Sequence, residues 1–200
     1  MNISQFLYSA KLGDGCFYRR SPKHNYLFQF TSYNKEYIDF AFKHLKELGY
    51  FPNKVREMKS GYKEGSSGHY FQTRVHKDFT YVANLSIKET IERLNLEGLI
   101  FLYLDDGSFH KNKHTGHLYC NTFSEEEASA LIDKFYAFYS VKKCTLHWDK
   151  KRSGKKYPYI YIPVSVMNLF KHDIKELISK NSLNSFMYKV GLPSQTTEKQ

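Results

Sequence analysis

The chain has 200 residues, 41% hydrophobic and 17% aromatic, with a formal net charge of +10 and a pI near 9.3, enough to bury a sizeable core as one domain or two small ones. No apolar run approaches the roughly 18–20 residues of a membrane span, and the N-terminus lacks a charged-then-apolar signal pattern, so neither a membrane partner nor secretion is expected. Residues 1–92 carry 14 Lys/Arg against 9 Asp/Glu and the remainder 16 against 11, so each half is equally basic and a polyanion partner is the natural reading.

In chain order, a helix is expected over residues 3–14, ending on Leu12-Gly13-Asp14-Gly15 and followed, as in the second half, by a short first strand, here the aromatic, basic Cys16-Phe17-Tyr18-Arg19-Arg20, and a turn. A strand follows over 26–31, and Asn34 then caps a helix over 35–48 whose Ile38, Ala41, Phe42, Leu45 and Leu48 share one face. Strands over 54–59 and 69–76, joined by a polar, glycine-containing tip, and a helix over 78–94 complete the first set. The same order then returns. A helix over 96–106 ends on Leu104-Asp105-Asp106-Gly107 and leads into Ser108-Phe109-His110-Lys111. A strand over 116–122 precedes a capping box, Ser124 with Glu127, that opens a helix carrying Ala128, Leu131, Ile132, Phe135 and Tyr139. Strands over 141–149 and 157–163, joined by a strongly basic tip, and a helix over 164–179 close the series, with residues 194–200 expected as a disordered tail.

The chain therefore reads as an α-β-β-α-β-β-α unit used twice, at an offset of 92 residues between Asp14 and Asp106. The expected fold is α+β: two pseudo-two-fold related units, residues 1–92 and 93–200, with the two acid-ending helices paired at the centre and antiparallel sheets forming a saddle-shaped surface. A carboxylate at a helix C-terminus opposes the helix dipole. That cost, incurred twice in a basic chain, suggests that Asp14 and Asp106 share a cation.

The two helix endings, and the segment Ser185-Phe186-Met187-Tyr188-Lys189-Val190-Gly191-Leu192-Pro193, resemble the motifs of single-chain LAGLIDADG homing endonucleases, in particular the omega-intron subgroup. Lys11 and Phe101, within the motif helices, depart from that family's consensus. The resemblance implies a site-specific double-strand DNA endonuclease that hydrolyses phosphodiesters of a long, asymmetric target. It implies Mg²⁺ (or Mn²⁺) as cofactor, with Ca²⁺ binding without supporting cleavage, and action as a monomer on double-stranded DNA. Asp14 and Asp106 inherit the metal-binding acids, Gly13 and Asp105 supply backbone help, and Lys189 is the basic catalytic residue, with Lys88 its first-half counterpart by repeat position. The other reading is an intron RNA maturase or a cleavage-deficient DNA-binding protein on the same scaffold. An intein-embedded nuclease is not expected, because the first motif follows Met1 without flanking splicing blocks.

Hard oxygen ligands around Mg²⁺ suit phosphodiester hydrolysis, and a two-stranded ribbon suits the major groove. Expected DNA contacts are Tyr18, Arg19, Arg20, Lys23, Gln29, Arg56, Lys59, Gln72 and Arg74 in the first half. In the second they are His110, Lys111, Lys113, His117, Asn121, Lys142, Lys151, Arg152 and Lys155. His110, His114, His117 and Cys120 lie close enough in sequence to suggest zinc, but their spacing matches no standard site, and DNA-facing or surface histidines are the expectation. Trp148 and the alternating Tyr157, Tyr159 and Tyr161 are expected to pack within their strands and not to stack on bases. Three cysteines without paired spacing (Cys16, Cys120, Cys144) indicate a reducing, intracellular compartment. The 24 Lys against 6 Arg suggest an AT-rich genome: a mitochondrion or other organelle, a phage or a low-GC bacterium.

Overall fold

A computed structural model of the protein describes residues 3–59, 67–150 and 156–194, apart from the side chains of Lys59 and Lys150. The inner parts of both expected hairpin tips, and residues 195–200 of the expected tail, lie outside the described residues. The chain divides into two compact units, Met1–Leu85 and Ser86–Gln200.

The first unit runs α1 (Gln5–Leu12), β1 (Gly15–Tyr18), β2 (Leu27–Ser32), α2 (Lys35–Glu47), β3 (Arg56–Lys59), β4 (Ser67–Gln72) and α3 (Lys77–Asn84). Its four antiparallel strands are ordered β1-β2-β4-β3. The second begins with α4 (Ile87–Arg93) and continues through α5 (Leu96–Asp106), β5 (Gly107–His110), β6 (Thr115–Tyr119), α6 (Glu125–Tyr139), β7 (Thr145–Lys150), β8 (Lys156–Ile162), α7 (Val164–Lys180) and a 3-10 helix, Asn184–Val190. Its sheet, β5-β6-β8-β7, has the same strand order. The repeat read from the sequence is thus a repeat of topology.

In each unit the helices cover one face of the sheet. Strand alternation sends Phe28, Phe30 and Phe71 inward, where they meet Phe6 of α1, Tyr37 of α2 and Phe79 of α3, each at most 1% exposed. Phe6 and Phe30 meet edge to face at 5.1 Å. The second core is more aliphatic: Leu118, Ile160 and Ile162 lie under Val166, Met167 and Phe170, with Tyr103 and Phe135 edge-on to Phe170 at 5.1 and 5.2 Å. Each fully buried side chain of this kind contributes about 1.5–3 kcal/mol, so the cores fix which face of each sheet stays open.

Several expected boundaries move, among them the strand expected over 116–122, which ends at Tyr119, and three others change how the chain is divided or turned. The helix expected over 78–94 is two helices. Leu85 is extended (ψ 145°), and Ser86 starts α4 with a full capping box, its hydroxyl accepting from the Glu89 N–H while Glu89 accepts from the Ser86 N–H. Because α4 packs on α6, the units part after Leu85 and not after residue 92. The strand expected from 141 starts at Thr145, since left-handed Ser140 (φ 51°) ends α6 and turns the chain. The strand expected over 69–76 stops at Gln72, beyond which Thr73 makes an isolated bridge to Pro52. Among the described residues no helix is long and apolar enough to cross a membrane.

Candidate metal centre and nucleic-acid interface

Both motif acids stand where a helix passes directly into the first strand of a sheet. In the first unit Gly13 caps α1, its N–H donating to the Ser9 carbonyl at 3.0 Å, and exposed Asp14 precedes β1. In the second, Asp105 and Asp106 end α5, both half-buried, and extended Gly107 (ψ 156°) begins β5 at once. The glycines after the acids are steric requirements. A Cβ on Gly15 would lie 2.6 Å from the Ala10 carbonyl oxygen, and one on Gly107 would overlap the Tyr103 ring and carbonyl. The oxygen donors, the Asp14 and Asp106 carboxylates with the neighbouring backbone carbonyls, suit a hard divalent cation in type.

Lys189 is drawn to the second acid. Its Nζ donates to the carbonyls of Gly107 (2.5 Å) and Asp105 (3.4 Å), on either side of Asp106, while the side chain is only 6% exposed. The ammonium satisfies helix-end carbonyls and balances the negative pole of α5. The 3-10 helix holds it there, and Tyr103 donates to the Lys189 carbonyl at 3.3 Å.

Lys88 requires a correction. It lies on α4 in the second unit, half exposed, with its Nζ 2.6 Å from Glu126 at the start of α6. It is not the first unit's counterpart of Lys189, because the repeat offset carried across a helix that is in fact broken. The departure at Lys11 has a structural reason that sequence reasoning missed: its Nζ donates to Val82 (2.7 Å), Ala83 (2.9 Å) and Leu85, closing the C-terminal end of α3.

The sheet faces away from the helices carry six of the expected DNA contacts, Tyr18, Gln29, Arg56, Gln72, His110 and His117, and the other described ones lie in connections or beyond strand ends. On the first, Gln29 pairs across with Gln72, and the two amides and the Tyr18 phenol form a network: Gln72 Nε2 donates to Gln29 Oε1 at 2.8 Å and to Tyr18, and Tyr18 donates to Gln29 Oε1 at 3.0 Å. Arg56 is exposed on β3 opposite Tyr70, on the same face. Arg19, Arg20 and Lys23 are exposed in the β1–β2 connection, Arg19 lying 4.9 Å over the Tyr26 ring. Arg74 departs from expectation: it is beyond the end of β4, 5.7 Å over Phe51, and not on the sheet face.

On the second open face His117 lies beside Tyr159 (4.4 Å between centroids), and His147 packs on Tyr159 and Tyr161. Tyr159 and Tyr161 alternate with fully buried Ile160 and Ile162, so they do pack within the sheet, but on its open side. The alternation itself was the signal, and the parity that decides the face needed the register. Trp148, paired with Pro158, is 45% exposed. His110 ends β5, while Lys111 and Lys113 are exposed in the following turn. Exposed Asn121 and Lys142 lie in connections, Lys142 because β7 starts late. The Lys59 side chain, and Lys151, Arg152 and Lys155 entirely, lie outside the described residues.

The four-residue zinc grouping separates. Cys120 is buried, its thiol 3.5 Å from the Leu118 carbonyl, and burial and then the nearby Asp106 carboxylate push that thiol up to about 12. It is held as the thiol, which is a poor metal ligand. His110 and His117 do meet, His110 Nε2 lying 3.0 Å from His117 Nδ1. Burial and then the surrounding His110, His147 and Lys113 lower His117 to about 4, against a smaller opposing effect of Asp149.

The profile of the LAGLIDADG DNA endonuclease family matches residues 5–170. Among solved structures, the fold is similar to the homing endonuclease I-WcaI bound to its DNA recognition sequence, with TM-score 0.71 and 21% identity over 96% of this chain and 89% of that one. It is also similar to I-DmoI in complex with DNA and Ca, with TM-score 0.57 and 18% identity over 85% of this chain and 87% of that one. A third similar structure is full-length DUF199/WhiA from Thermatoga maritima, with TM-score 0.50 and 11% identity over 90% of this chain and 62% of that one. No curated protein sequence matches the chain significantly.

Proposed function

Since the chain belongs to the LAGLIDADG DNA endonuclease family, we propose that it is a site-specific homing endonuclease that hydrolyses both strands of a long, asymmetric duplex with Mg²⁺. The observation that carries this reading is the duplicated junction: in each unit an acid–glycine pair closes a helix and opens the first strand of a sheet whose other face is left uncovered. In each unit, then, one fixed carboxylate lies at the root of one recognition surface.

In this proposal Asp14 and Asp106 each supply a carboxylate for divalent-ion binding, with the backbone carbonyls at Gly13 and Asp105 as further oxygen donors in their own units. The bound ion supplies an activated water and Lewis acidity toward the phosphoryl oxygens. Lys189, fixed by the carbonyls on either side of Asp106, balances the charge of that acid and favours the negative charge that develops on the phosphate under attack. Lys88, committed to Glu126, has no part. The open faces lie in the major groove, where the Gln29 and Gln72 amides read base edges and exposed Arg and Lys contact phosphates.

Selection of cleavable sites from a random duplex library supplies the substrate for the test. With that duplex and Mg²⁺, either Asp14→Asn or Asp106→Asn abolishes the double-strand break while binding, measured by fluorescence anisotropy, stays within a few-fold of the parent. Full cutting by both variants would remove the mechanism. Stimulated splicing of an intron RNA without any break would transfer the scaffold to the maturase reading.

A further inference from the structure

We propose that His110 and His117 form a two-imidazole site for a borderline divalent transition-metal ion, of which Zn²⁺ is the representative. The pair sits diagonally across the β5–β6 hairpin, since Ser108 is opposite His117 and His110 opposite Thr115, so both rings project from the open face. Their ring centroids are 4.0 Å apart at an interplanar angle of 48°, and His110 Nε2 is 3.0 Å from His117 Nδ1. With Zn–N bonds of about 2.0–2.1 Å, two nitrogens on one ion lie roughly 3.0–3.4 Å apart. The hairpin therefore already holds the donors at chelating distance.

Without metal, that contact uses one N–H and one lone pair. Binding needs both lone pairs, so the donor ring shifts its proton to its other nitrogen and the rings turn from facing each other to facing the ion. His110, exposed at the strand end, has room to turn. No proton is lost overall. The remaining coordination positions are left to water, since the His147 Nε2 is engaged with Thr145 Oγ1 at 2.8 Å and Cys120 is buried. Imidazole donors select Zn²⁺, Ni²⁺ or Cu²⁺, whereas Mg²⁺ prefers oxygen. The site is therefore distinct in chemistry from the motif acids, and the inference does not depend on nuclease activity.

Among the described residues, the one group of three candidate ligands within 4.8 Å of one another is His172, Asp173 and Glu176 on α7. It is removed from the test with His172→Ala as the parent background. Tag-free parent is titrated with ZnCl₂ by calorimetry in millimolar Mg²⁺, and the histidine ring signals are followed by NMR. The expected result is one ion per chain, with shifts or broadening at His110 and His117, and more than about tenfold weaker binding in either His110→Gln or His117→Gln. Zinc affinity unchanged in the double variant would overturn the proposal. So would saturation of the unsubstituted hairpin with the His110 and His117 ring signals unmoved, a result that does not depend on how any variant folds.

Discussion

At the residue scale, the chain places lysines where helices end. Lys11 closes α3, Lys134 closes α4 by donating to Glu92 (2.7 Å) and Leu94 (3.0 Å), and Lys189 closes α5. Neither α3 nor α5 has a basic residue in its own last turn, so each takes its cation from a distant element and satisfies carbonyls that the helix leaves open. Burial lowers Lys134 from its ordinary value, the direction expected when an ammonium gives up water for carbonyls. For Lys11 the consequence is measurable. Lys11→Met keeps the length of the stem and removes the three donated bonds, so urea unfolding should show a loss of about 1–3 kcal/mol. A loss confined to a few tenths would mean that water replaces the ammonium at the end of α3. None of these contacts is local in sequence, which is why a lysine inside a motif helix reads as an oddity until its partners 71 to 74 residues away are known.

At the element scale, the junction from helix to strand is the part most sensitive to substitution. The chain turns at Gly15 so tightly that a methyl group would press on the carbonyl of Ala10, a backbone atom that cannot rotate away. Gly15→Ala should therefore cost about 1–3 kcal/mol, read from thermal or chemical unfolding, and should impair cutting by shifting Asp14. An unchanged midpoint would show that the junction relaxes freely. These junctions were legible in the sequence because acid–glycine punctuation is local and appeared twice in register. The break between α3 and α4 was equally local, in Ser86 and Glu89, but apolar positions such as Phe79, Val82, Ile91 and Leu94 read as helix on both sides of it. Helical periodicity does not register a two-residue interruption. The misplacement of Lys88 followed directly: a residue assigned by repeat offset to the first unit belongs to a helix that packs on α6. Strand parity was the other gap, because Tyr159 and Tyr161 needed the pairing with His147 and His117 before their face was fixed.

At the scale of the whole molecule, the two units share strand order but not surface chemistry. The first open face presents an amide and phenol network of Tyr18, Gln29 and Gln72; the second presents imidazoles and phenols, His110, His117, His147, Tyr159 and Tyr161. Both halves of the sequence are equally basic, so the phosphate term should be similar across the target and the difference should lie in base readout. A glutamine amide can bond bidentately to adenine, and losing such a contact costs about 1–3 kcal/mol of discrimination at that base pair. Gln72 carries this argument because it also orders its neighbours: removing it takes away two of the three bonds in the network and leaves only the one from Tyr18 to Gln29. Gln72→Ala should therefore relax base preference at a few adjacent positions within one half of the selected target, leave the other half as it was, and leave the slope of affinity against salt concentration unchanged. The check is to repeat the site selection with the variant, compare preferences position by position at one fixed salt concentration, and measure affinity for the selected target across a salt series. A uniform loss across both halves, or a shallower salt slope, would assign Gln72 to backbone contact and remove the amide network from sequence recognition.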